Sequence, residues 1–220
     1  MSAADHAHVS EAIGAAEAGT DGEIVAITAD MSDFYHDVGL HYAVAAMFVS
    51  FAVMAVWPGL LEGLWTRLMG WSESPGLQQY LTLLLGVALL TFLIVLYAMK
   101  YMPLRLALTP GATKTRRVRR RALMLFRTAA ERRTLGRTAV IIYLSTGERR
   151  AEIIGDEAIT AVTTAETWGE AMAALLVEVK AGRPGDGIVA AVEHVGTVLA
   201  EHFPKTNADT NEIPDKLIEL

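Results

Sequence analysis

The chain has 220 residues, of which 52% are hydrophobic and 20% charged, with a formal net charge of −6 and a mean hydropathy of +0.33. That balance excludes a disordered or purely surface-exposed chain. The lack of any cysteine excludes a disulfide framework, a thiol nucleophile and a thiolate metal site, and leaves the redox compartment undecided.

Charge is distributed unevenly. No Lys or Arg precedes Arg67, residues 105–150 are strongly cationic, and the remainder is acidic again.

In chain order, residues 4–18 are predicted helical, with Val9, Ile13 and Ala16 at three- and four-residue spacing. Thr20-Asp21-Gly22 breaks that helix, and the β-branched run 23–28 is predicted as a short strand. Residues 38–61 and 81–99 contain no Asp, Glu, Lys or Arg, and about 20 apolar residues suffice for a helix to cross a bilayer core. Trp57, Trp65, Trp71 and Tyr80 surround the connection between them, and Tyr97 and Tyr101 mark the far end of the second block, where amphipathic rings favour the headgroup level. Buried helices of a soluble core rarely lack charge over such a length. The first block also follows an acidic segment and has no small-residue cleavage site, unlike a secretory signal. The blocks are therefore read as a retained transmembrane hairpin with both termini on one side.

Lys114, Arg116, Arg117, Arg119, Arg120 and Arg121 follow the second block, whereas residues 62–79 carry only Arg67. Cationic flanks stay cytoplasmic, which places both termini in the cytoplasm and the chain in the inner membrane. Beside a span, these six cations suit anionic lipid headgroups, at about 1 kcal/mol per Lys/Arg. No aromatic pattern that would read bases accompanies them, so no nucleic-acid partner is expected.

Residues 116–133 form an amphipathic helix on paper, with Ala122, Leu125, Phe126 and Ala129 on one face and Leu135-Gly136 as its end. The apolar run 138–144 suits a central strand covered on both faces, and 145–148 is a turn leading to a return strand, 149–154. Helices are predicted over 164–180 and, with Asp186 as cap, over 187–203, ending at Pro204. The tail from Lys205 is polar and expected to be mobile, except for the apolar patch Ile213, Leu217 and Ile218. Alternating helices and strands predict an α/β fold, a small central β-sheet sandwiched by helices and interrupted by the two-helix transmembrane hairpin. The implied organisation is 1–34 (first helix and strand), 35–103 (hairpin), 104–121 (basic juxtamembrane segment), 122–204 (rest of the α/β domain) and 205–220 (tail). A lone strand with a lone helix cannot bury its apolar surface, so the first segment must rejoin the later sheet.

Residues 133–144 (RTLGRTAVIIYL) and 148–159 (ERRAEIIGDEAI), with Gly22-Glu23-Ile24-Val25, Trp168, residues 182–195, His202-Phe203-Pro204 and Asn211-Glu212-Ile213, resemble the TPM domain. This is the family of the thylakoid lumen photosystem II repair protein, and the likeness is to its membrane-embedded bacterial branch. The resemblance covers nearly all of the non-membrane sequence and implies a compact α/β/α domain. It also implies one of three roles: acid phosphatase, binding of Ca²⁺ or Mg²⁺ through acidic loop residues, or auxiliary factor of a membrane complex. Where metal-binding members resemble Asp-Asn-Gly and Asp-Asp-Arg, this chain reads Leu135-Gly136-Arg137 and Gly147-Glu148-Arg149.

The candidate metal ligands are thus Glu148, at the carboxyl end of the central strand where α/β sheets place ligands, with Asp156 and Asp186 as further oxygen donors. Each has a plainer reading as a turn acid or helix cap. Gly182–Gly187 opens a helix, but it lacks the spacing of a nucleotide loop and reads as a helix-to-helix turn. His194 and His202 are two turns apart, His41 lies at the start of the first apolar block, and Ser145 has no evident general base. Two apolar spans without a charged interior residue offer no solute path. The expected function is a non-enzymatic, membrane-anchored binding or auxiliary module for a membrane protein complex at the cytoplasmic face. The alternative is a membrane-tethered, divalent-metal-dependent phosphatase.

Overall fold

The computed structural model describes residues 1–70, 75–129, 138–164, 166–206 and 214–220, the side chain of Ala129 excepted. Trp71, the helix end expected at Leu135-Gly136, the motif residues Arg133–Arg137 and the tail residues Asn211-Glu212-Ile213 lie outside them. By chain contacts the protein divides into two units: Met1–Asp33 with Gly111–Leu220, and Phe34–Pro110.

The first unit is an α/β/α sandwich. Helix α1 (Ala3–Glu17) opens on a reciprocal cap, in which the Asp5 amide donates to Ser2 Oγ and the Ser2 amide to Asp5 Oδ2. Strand β1 (Glu23–Ala29) follows. Beyond the inserted unit come α6 (Gly111–Ala129), β2 (Ala139–Ser145), β3 (Arg150–Gly155), α7 (Glu157–Val162), α8 (Gly169–Lys180), α9 (Pro184–His202) and the two-residue β4 (Ile218–Glu219). The sheet order is β3-β2-β1-β4, with β1 parallel to both β2 and β4 and β3 antiparallel to β2. The register runs from Glu23 opposite Ala139 to Ala29 opposite Ser145. The strand before the hairpin and the strand after it therefore pair along their whole length.

Both β1 and β2 are buried throughout, so their near-continuous apolar sequence serves two cores. Ile24, Ala26, Val140, Ile142 and Leu144 face the layer holding α1, α8 and α9. Val25, Ile27, Ile141 and Tyr143 face Val118, Ala122 and Phe126 of α6. Close approach holds the first layer together: a Cβ on Gly196 of α9 would lie 2.7 Å from Ala16 Cβ of α1.

Three expectations change in detail. The helix expected from residue 164 starts at Gly169, because Trp168 caps it in helical conformation without a side-chain bond. Residue 149 belongs to the turn, with φ 51°, and not to the return strand. The tail residues 214–220 add an edge strand: Leu217 is buried in the core, Ile218 stands opposite Ile27, and the Leu220 amide donates to Thr28 O at 2.9 Å.

The second unit contains α2 (His36–Val56), α3 (Pro58–Met69), α4 (Leu77–Ala98) and α5 (Met102–Leu108). Helices α2 and α4 pack on each other and are long and apolar enough to cross a membrane, with only 17% and 6% of their most apolar stretches buried. A soluble core would bury such helices. The first apolar block is not one continuous helix: Trp57 leaves helical geometry and Pro58 restarts the chain as α3, since proline disfavours helix in the residue before it and suits a first helical position. Arg105 joins the two open ends of this unit. Arg105 is 6% exposed, and its guanidinium donates to Met99 O at 2.7 Å, at the carboxyl end of α4, and to Phe34 O at 2.6 Å, ahead of α2.

Candidate functional site

Loops at the carboxyl end of β1 and β2 bring Glu148 into a polar cluster. Hydrogen bonds from the Thr146 amide to Ala29 O at 3.0 Å and from the Gly147 amide to Asp30 O at 2.9 Å lay the β2–β3 turn against the segment leaving β1. Gly147 is required by that approach: a Cβ there would stand 2.6 Å from Met31 Sδ and 2.7 Å from Asp30 O. Buried Glu148 Oε2 accepts from the Ser145 hydroxyl and from the Ser32 amide at 3.0 Å. The Ser32 hydroxyl and the Tyr143 phenol lie 3.0 Å apart. Burial pushes the Tyr143 phenol above its ordinary range, against the hydrogen bond with Ser32, so it stays neutral. Ser145 is wholly buried and donates its hydroxyl hydrogen bond to Glu148. The cluster locks the segment after β1 onto the β2–β3 turn.

The structure does not bring the three acidic candidates together. Asp156 caps α7 through Glu157 N at 2.7 Å, and its own amide donates to Ala139 O at 2.9 Å, at the amino end of β2. The six residues of β3 separate it from Glu148, about 20 Å at the usual strand rise. Asp156 Oδ2 is buried without a hydrogen-bond partner among the described residues. Asp186 sits in the first turn of α9, 3.4 Å from Arg183 and 3.9 Å from His8. One Ca²⁺ or Mg²⁺ ion needs several oxygens within about 2.6 Å, and Glu148, Asp156 and Asp186 do not fit that requirement. Among the described residues no group of three or more His, Asp or Glu has metal-binding geometry.

The six cations differ in their surroundings. Arg116, Arg119 and Arg120 are exposed on α6 and Lys114 is half-buried. Arg117 turns inward to an ion pair with Asp33 at 2.8 Å, and half-buried Arg121 lies near enough to Tyr143 to influence its ionisation. The last helix starts at Pro184 with Arg183, not Asp186, at its N-cap, so Gly185 and Gly187, expected in a turn, lie in its opening residues and serve packing: a Cβ on Gly185 would lie 2.7 Å from Asp5 Oδ1, and one on Gly187 2.8 Å from Leu175 O. His41, His194 and His202 are exposed.

A second polar cluster, at the amino end of β1, was not anticipated from the sequence. A cleft of about 150 Å³ is lined by Glu17, Thr20, Glu23, Lys205 and Asp215, among others. Glu17 Oε1 accepts from the Ile24 amide at 2.7 Å, and Lys205 Nζ donates to Glu17 O at 3.2 Å. Burial, opposed by the Ile24 hydrogen bond and reinforced by Glu23 and Asp215, raises the Glu17 carboxyl to about 8. One signal was available: an acid in the last turn of a helix opposes the helix dipole.

No family model matches the chain, and no curated protein matches it. Among solved structures, the NMR structure of the BA42 protein from the psychrophilic bacterium Bizionia argentinensis is similar over 100% of this chain and 95% of that one, at 18% identity and a TM-score of 0.57. That likeness is one of fold.

Proposed function

We propose that the chain is a membrane-anchored, TPM-like α/β module that acts by binding, without catalysis, as an auxiliary part of a membrane protein complex at the cytoplasmic face of the inner membrane. The observation that carries this reading is the insertion itself. Two exposed apolar helices, each long enough to span, interrupt a domain whose first strand pairs along its whole length with a strand from beyond them. An anchor held this way cannot be removed without dividing the sheet. The excess of Lys and Arg after α4 over the single Arg67 between the apolar helices supports cytoplasmic termini. Arg116, Arg119 and Arg120, exposed on α6, suit anionic headgroups or an acidic partner face. The burial of Ser145 and Glu148, which keeps both from a substrate, supports a binding role over hydrolysis.

The test has two arms. Purified protein is assayed with a generic phosphate ester, with and without Ca²⁺ or Mg²⁺, and photo-crosslinkers at the exposed α6 positions 123 and 127 are activated in native membranes. The binding reading expects no turnover and a discrete crosslinked membrane protein that is lost when Arg116, Arg119 and Arg120 become Glu. Metal-dependent turnover abolished by Glu148→Gln would establish the phosphatase instead.

A further inference from the structure

The connection closing the apolar hairpin is itself a helix. Pro58 starts α3 and Gly70, at φ 80°, ends it. At 3.6 residues per turn, Leu60, Leu61, Leu64, Trp65 and Leu68 fall on one side, with Trp57 continuing the stripe, while Gly59, Glu62, Gly63, Thr66 and Arg67 fall on the other. No residue of α3 is buried. Leu60 is 52%, Leu68 62% and Trp57 59% exposed, while Leu61, Leu64 and Trp65 between them are half-buried.

We propose that α3 is an in-plane interfacial helix whose apolar side sits at the acyl–headgroup boundary of the leaflet at the closed end of the hairpin. This rests on reading α2 and α4 as spans. Length argues for it: the 21 residues of α2 and 22 of α4 rise about 32–33 Å at 1.5 Å each, already the thickness of a hydrocarbon core of about 30 Å. Helix α3 therefore begins where hydrocarbon gives way to headgroups, the depth that indole rings prefer. Its single Glu and single Arg balance, so contact with lipid comes from apolar area and not from charge.

The absence of cysteine makes every introduced thiol unique, which suits nitroxide labelling of the full chain in phosphatidylcholine–phosphatidylglycerol vesicles. The positions are Leu60→Cys and Leu68→Cys on the apolar side, Glu62→Cys and Gly63→Cys on the polar side, and Leu90→Cys in the middle of α4. The native side chains at 60 and 68 are mostly solvent-facing, and Gly63 has open space around it, so the thiols disturb no packing. The accessibility ratio of molecular oxygen to a water-soluble nickel chelate should be several-fold higher at 60 and 68 than at 62 and 63, and highest at 90. A high ratio at 90 with equal, low ratios at all four α3 positions overturns the interfacial helix alone. Free nickel access at 90 overturns the spanning reading beneath it. Exclusion of both reagents at 60 and 68 would mean a protein partner, such as a second copy, covers α3, and also overturns the proposal.

Discussion

Glu17 shows how one side chain can carry a pH dependence for the domain. Its carboxyl is raised from 4.5 to about 8, chiefly by burial, with Glu23 and Asp215 adding repulsion against ionisation. The folded state therefore holds a proton that the unfolded chain has released. The resulting stability is fully present below pH 4.5, is lost progressively as pH rises, and is gone above about pH 8. Glu17→Gln keeps an acceptor for the Ile24 amide and removes the charge. Its thermal midpoint should vary less than the wild type's between pH 5 and 9 and lie above it at pH 9; equal slopes would remove Glu17 as the cause. At the other end of β1, Gly147→Ala forces a Cβ to within 2.7 Å of the backbone oxygen of Asp30. Overpacking of this kind costs about 1–3 kcal/mol, measurable as a lower midpoint in denaturant or heat. Ser145→Ala leaves buried Glu148 without one donor, with a cost of about 1–3 kcal/mol expected; addition of Ca²⁺ should not restore either loss.

At the level of elements, β1, β2 and β3 were legible because β-branched residues run together there, and α1, α8 and α9 because their apolar residues recur at helical spacing. Strand β4 was not legible. Two residues carry no propensity signal, and Ile218-Glu219 is a strand only because the edge of β1 offers it hydrogen bonds. Removing residues 217–220 should therefore cost more than a trimmed tail. The loss of buried Leu217 alone is worth about 1.5–3 kcal/mol, and protection of the β1 amides in hydrogen exchange should fall; unchanged exchange would contradict the pairing. The start of α3 was hidden in the end of an uncharged run whose break is marked only by Trp57-Pro58. The inward turn of Arg117 was also missed, because periodicity assigns a face but not the reach of a long apolar stem. The grouping of Glu148 with Asp156 failed for a reason the sequence already held. A return strand of six residues carries the chain from one end of the strands to the other.

At the scale of the whole molecule, a sandwich is assembled from two separated segments, with two helices between them that are long and apolar enough to cross a membrane. The register of β1 on β2 requires residues 1–33 and 111–220 to share a compartment, so on the proposed reading of α2 and α4 as spans the chain leaves the membrane on the side where it entered. The most direct measurement is accessibility in intact cells. The variants carry one cysteine each, at position 2 before α1, position 62 in α3 or position 205 after α9, and are challenged with a membrane-impermeant maleimide. We expect labelling of the cysteine at 62 alone, with those at 2 and 205 reacting only after the membrane is opened. Labelling at 2 or 205 in intact cells, or at none of the three before lysis and at all of them after it, would contradict the arrangement.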